Sequence, residues 1–155
     1  MWIVSPNFHK AKKESDNILF CCLIRRATSS DPLPFQFLSR EPELCDNARF
    51  IDIDHYKLML EKCNALRTNK TLRDIVPDAE LISGEDAAVL MRGKQYLSIG
   101  CDLGDLRALE TALRSEMDTT KFSIICTAEV SLTYMDVKAA DALINWASRL
   151  SDGKA

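Results

Sequence analysis

Acidic residues stand at the ends of three short apolar runs. Asp52 and Asp54 close Arg49-Phe50-Ile51-Asp52-Ile53-Asp54, Asp102 follows Tyr96-Leu97-Ser98-Ile99-Gly100-Cys101, and Glu129 follows the run from Phe122 to Ala128. An ionised carboxylate only accepts hydrogen bonds, and its two oxygens match the adjacent hydroxyls of a ribose. On that chemistry Asp52 or Asp54 would take both hydroxyls of a ribose diol. Asp102 would receive a donor from an adenine amino group while Leu103 packs on the base, and Glu129 would hold a positively charged group. The same acids also suit a plainer task. Asp54 and Asp105 both precede stretches of helical periodicity, where a side-chain oxygen caps the first turn. Taken singly, each acid fits capping or a solvated turn; their recurrence at three run ends favours a shared ligand.

The elements that must position them follow from periodicity. Ile18 to Ile24, Arg49 to Asp54, Tyr96 to Cys101 and Phe122 to Ala128 are near-continuous apolar runs of strand length, as required of strands buried on both faces. Tyr56, Met59, Leu60, Cys63 and Leu66 draw one helical stripe; Leu106, Leu109, Leu113 and Met117 draw a second; Val137, Ala140, Leu143, Ile144, Ala147 and Leu150 draw a third, starting near Asp136. Pro32 and Pro34 argue against a regular helix before Phe35, with a short helical turn through Phe35, Phe37 and Leu38. Residues 68–95 are polar and broken by Pro77, Gly84 and Gly93, with room for a short strand at Ala79–Ile82. Strands alternating with helices predict an α/β fold: a Rossmann-like, mainly parallel sheet of about four to five strands with helices on both faces. Residues 1–16 read as a poorly ordered lead-in, 17–150 as the domain and 151–155 as a tail.

Other chemistries find little support. The formal net charge of −3 creates no field for a polyanion. The six cysteines form no C-x-x-C pair and only two histidines accompany them, so no zinc spacing exists; several lie in apolar runs and read as reduced core thiols of a cytoplasmic protein. No apolar run reaches the length of a membrane span. There is no Ser-His-Asp set and no P-loop. His55 reads as a helix-start residue, and Trp146 and Tyr134 as core or surface aromatics. The glycine-rich turn that lets a backbone approach a nucleotide is missing after the first run, where the chain reads Leu23-Ile24-Arg25-Arg26-Ala27-Thr28-Ser29-Ser30. Weak or absent cofactor binding by this chain is the consequence to expect.

Several segments, in order and spacing, resemble the leucine carboxyl methyltransferase family. They are Asp31-Pro32-Leu33-Pro34-Phe35-Gln36; Arg49 to Asp54 with Lys57-Leu58-Met59-Leu60-Glu61-Lys62; Tyr96 to Leu103; and Ala128-Glu129-Val130-Ser131-Leu132-Thr133-Tyr134-Met135 with the helix through Trp146. The resemblance covers residues 31–150. It implies an S-adenosylmethionine-dependent methyltransferase domain in which Asp54 matches the ribose-binding acid, Asp102 and Leu103 the adenine-contacting pair, and Glu129 the fourth-strand acid near the cofactor. The family's first-strand glycine falls at Ala27, and residues 1–16 offer no counterpart of its upstream lysine and arginine.

The family has two branches. One methylates the C-terminal leucine of protein phosphatase 2A. The other acts late in wybutosine formation on tRNA-Phe, by methylation and methoxycarbonylation of the precursor. The wording Ile51-Asp52-Ile53-Asp54 and Ala128 to Met135 resembles the fungal tRNA branch more. The resemblance thus implies S-adenosyl-L-methionine as cofactor and tRNA-Phe carrying a wybutosine precursor as partner, the phosphatase catalytic subunit being the alternative, with neither metal nor membrane. The family's later strands and substrate-binding insertions have no counterpart, so the chain reads as a partial domain. A catalytically inactive fragment that only binds a partner is the remaining alternative.

Overall fold

Phe50, Ile51, Asp52, Ile53 and Asp54 are all buried, on both faces of the chain, and such a segment must lie in the middle of a sheet. It is β3 (Ala48–Asp54), and it pairs in parallel with β2 (Ile18–Leu23) on one side and β6 (Tyr96–Gly100) on the other. The computed structural model describes residues 2–4, 17–23, 32–84, 87–128 and 131–150. Within these, β7 (Ser123–Thr127) joins β2 in parallel, giving a central parallel group in the order β7-β2-β3-β6. The chain therefore runs outward from β2 through β3 to β6 and then returns to the far side of β2, the doubly wound pattern of a Rossmann-like sheet.

Three short antiparallel strands complete the sheet. β1 (Trp2–Val4) pairs with β7, β5 (Val89–Arg92) with β6, and β4 (Glu80–Leu81) with β5. Among the described residues the sheet thus has seven strands, in the order β1-β7-β2-β3-β6-β5-β4, rather than four to five. Its β1 lies in the stretch read from sequence as a lead-in. Residues 24–31, with Ala27, and residues 151–155 lie outside the described residues.

Helices cover both faces. On one face, α1 (Leu33–Arg40), α2 (Tyr56–Thr68) and α3 (Lys70–Ile75) bury Phe35, Leu38, Met59, Cys63 and Leu66 against Phe50 and Tyr96. On the other, α4 (Leu106–Glu116) and α5 (Val137–Arg149) bury Leu109, Leu113, Leu143 and Trp146 against Ile51, Ile53, Leu97 and Ile99. Asp105 caps α4 by accepting from the Ala108 N–H, and Asp136 caps α5 by accepting from the Ala139 N–H. Helix α1 starts earlier than expected: Pro34 sits in its first turn, where an absent N–H costs nothing. Five cysteines, Cys21, Cys45, Cys63, Cys101 and Cys126, are buried free thiols. No helix among the described residues is long and apolar enough to cross a membrane.

Candidate functional site

Parallel strands put all their carboxyl ends along one rim of the sheet. Asp54 ends β3, and its register partner Gly100 ends β6, so the two following turns start side by side. Gly100 permits this closeness. A Cβ there would come within 2.9 Å of the Tyr56 Cα and 2.9 Å of the Leu90 side chain, so only glycine lets the start of α2 rest on the end of β6. The N–H of Cys101 then donates to the carbonyl of Asp54 at 2.9 Å.

A cleft of about 510 Å³ opens between the two turns, lined on one wall by Asp54, His55, Lys57, Leu58 and Glu61 and on the other by Cys101, Asp102 and Leu103. Asp54 is almost wholly buried, and its Oδ1 accepts from the His55 N–H at 2.6 Å. It is not the helix cap expected of it; His55 occupies the N-cap position of α2, without a side-chain capping bond. Asp102 is exposed. Its Oδ1 accepts from the Gly104 N–H at 2.9 Å, which folds the Asp102–Asp105 turn. Leu103 is only 2% exposed because its side chain belongs to the main core, so it offers the cleft an edge rather than a broad surface. Burial pushes the Cys101 thiol upward from the usual thiol range, with Asp105 and Asp102 adding to the effect. Cys101 is therefore a neutral, apolar part of the wall.

Of the four residues singled out from sequence, three (Asp54, Asp102 and Leu103) line one cleft. Glu129 lies outside the described residues. The first turns of α2 were not foreseen as a wall, although Leu58 and Glu61 are three apart and so share a helix face. Tyr134 is exposed and Trp146 is core.

The donor set fits a nucleoside. Two carboxylates on adjacent strand ends supply acceptors for hydroxyl and amino groups, Leu58 and Leu103 supply apolar edges, and the volume lies within the range of small-molecule sites.

No protein-family model matches the chain. Curated relatives do. It is 46% identical over 122 residues to the tRNA wybutosine-synthesizing protein 4 of Aspergillus oryzae, covering 79% of this chain and 12% of that protein. It is 48% identical over 122 residues to the protein of that name from Emericella nidulans, covering 79% of this chain and 11% of that one. The Aspergillus fumigatus protein of the same name is 42% identical over 141 residues, covering 91% of this chain and 13% of the relative. The chain thus spans 11% to 13% of the length of these three. Across most of its own length the chain is thus similar to one part of the fungal proteins named tRNA wybutosine-synthesizing protein 4.

Proposed function

We propose that this chain is the nucleoside-cofactor-binding part of an S-adenosyl-L-methionine-dependent methyltransferase that acts in the cytoplasm on tRNA-Phe carrying a wybutosine precursor. The observation that carries the reading is the meeting of Asp54 and Asp102 in one cleft at adjacent strand ends. The name shared by its relatives supports the tRNA substrate, and none of the relatives described above bears the phosphatase name.

In this reading Asp54 accepts the ribose hydroxyls, Asp102 accepts from the adenine amino group through the oxygen not used by Gly104, and Leu103 borders the base. Glu129 takes a positively charged part of the cofactor. S-adenosylmethionine, when bound, brings its own electrophilic methyl group, so the protein's task is orientation and exclusion of water rather than nucleophilic catalysis.

The test is amide NMR of the 155-residue chain titrated with S-adenosylmethionine. With Ala27 where a glycine is expected, the response should saturate only in the millimolar range and centre on the amides of His55 and Cys101 to Gly104. A response elsewhere, or none, would remove the cofactor assignment. For the transfer itself, this segment should be carried in the longer protein of one of its relatives. Methyl label should then enter the modified guanosine of tRNA-Phe; label on the C-terminal leucine of protein phosphatase 2A would overturn the tRNA assignment.

A further inference from the structure

Asp52 precedes Asp54 by two positions on β3, so both side chains leave the same face of the sheet. Asp52 is fully buried, and its Oδ2 accepts from Lys62 Nζ at 2.6 Å and from the Tyr96 hydroxyl at 2.7 Å. Lys62 is itself only 7% exposed, and its ammonium stands 5.3 Å from the centre of the Phe35 ring, which packs 5.0 Å from the ring of Tyr96. Four elements, α1, α2, β3 and β6, therefore converge on one carboxylate.

A buried ion pair is a poor way to add stability, because an apolar set of similar volume does as well or better. What it provides is direction. Apolar contacts let a helix slide by fractions of a turn, whereas a carboxylate held by an ammonium and a hydroxyl fixes where the helix stands. The helix held in this way is α2, and its first turns are one wall of the cleft. The His55 N–H at its start is the donor to Asp54 Oδ1.

We propose that Asp52, Lys62 and Tyr96 form a positioning network that sets the height of α2 on the sheet and so holds the Asp54 carboxylate, through the His55 amide, in the orientation a ribose diol requires. The ligand part of this proposal rests on the cofactor reading above; the coupling of the network to the His55–Asp54 hydrogen bond does not.

The test compares the 155-residue chain with Asp52→Leu/Lys62→Met and with Tyr96→Phe. Three quantities are measured in each: the urea midpoint, exchange of the His55 amide, and the response of the cleft amides to S-adenosylmethionine. In the double variant the midpoint should stay near or above that of the parent. The His55 amide should exchange about tenfold faster, as expected for a weakened hydrogen bond to a carboxylate, while amides of β2 and β7 keep their rates. The cofactor response should weaken in parallel. Tyr96→Phe removes one hydroxyl only and should shift the same amide in the same direction by less, which keeps the proposal testable if the double variant fails to fold. Unchanged His55 exchange in a folded variant would overturn it. Faster His55 exchange in a chain whose parent shows no cofactor response would leave the positioning network standing and remove the cofactor reading.

Discussion

The main-chain N–H of Cys101 donates to the carbonyl oxygen of Asp54 at 2.9 Å, so the residues that lead the chain out of β3 and β6 are bonded to each other. The two walls of the cleft are therefore continuous through the backbone, and a disturbance at either strand end reaches both. Substitutions along this rim should affect binding out of proportion to their effect on stability.

Asp54→Ala removes the acceptor for the His55 N–H and the proposed ribose contact together. Loss of hydrogen bonds to a charged group, about 1.5–3 kcal/mol, predicts binding weaker by roughly ten- to a hundredfold. In the 155-residue chain the NMR response to S-adenosylmethionine should disappear, while the urea midpoint falls by about 1 kcal/mol equivalent. Asp54→Asn keeps an oxygen for His55 and should restore the stability without restoring the binding. Equal binding by parent and Asp54→Ala would end the ribose assignment.

Asp102→Asn separates charge from turn geometry. An asparagine oxygen can still accept from the Gly104 N–H, so the turn after β6 should persist with the thermal midpoint nearly unchanged. The second oxygen becomes an amide donor facing the proposed adenine donor, and cofactor affinity should fall several-fold, by about 1 kcal/mol. Thermal melts and the same titration check this. A lower melting temperature with unchanged affinity would make Asp102 a turn residue and nothing more.

How much of this was readable in advance depends on how local the determinants are. The parallel strands declared themselves through continuous apolar runs, and α2, α4 and α5 through stripes such as Met59-Cys63-Leu66. Asp105 as a cap, and Asp136 as the start of the last helix, were legible for the same reason, since a cap is decided within three residues. Strand β4 falls within the Ala79–Ile82 stretch where a short strand had room, whereas β5 was obscured because Gly84 and Gly93 break the pattern on either side of it and it is too short to show alternation. Strand β1 has three residues and lies beside β7 and α5, neighbours distant in the sequence. In the cleft, Asp54 and Asp102 were visible as acids that end apolar runs. The Asp52–Lys62–Tyr96 network was not, because it joins positions on two strands and a helix whose proximity exists only after folding. A lysine on the apolar stripe of α2, beside Cys63, was its one trace in the sequence.

Gly100→Ala tests the close approach at the rim. The added Cβ would press on backbone of Tyr56, which cannot rotate away, as well as on the more yielding Leu90 side chain. Overpacking of this kind costs about 1–3 kcal/mol. The urea midpoint should fall accordingly, and amide shifts should change most at Tyr56 and His55. If Leu90→Ala in the Gly100→Ala background recovers only part of the loss, the remainder belongs to the α2 backbone. Full recovery would show that α2 does not depend on this contact.

Stability should also depend on pH on the alkaline side. Burial pushes the thiols of Cys45, Cys63 and Cys101 above the usual range; for Cys63 the nearby Asp52 adds to the rise, while the Ser98 hydrogen bond and Lys62 oppose it. As pH passes about 8.5 the unfolded chain loses these thiol protons first, whereas the native state keeps them. The unfolded state then binds fewer protons than the native one, so stability falls as pH rises; below that range the contribution is complete. Urea midpoints measured from neutral pH upward should stay level and then decline. A Cys63→Ala/Cys101→Ala variant, less stable at neutral pH because of the cavities it opens, should decline less steeply, because two of the linked protons are gone. Parallel declines in parent and variant would assign the alkaline loss to other groups and leave these thiols as inert packing.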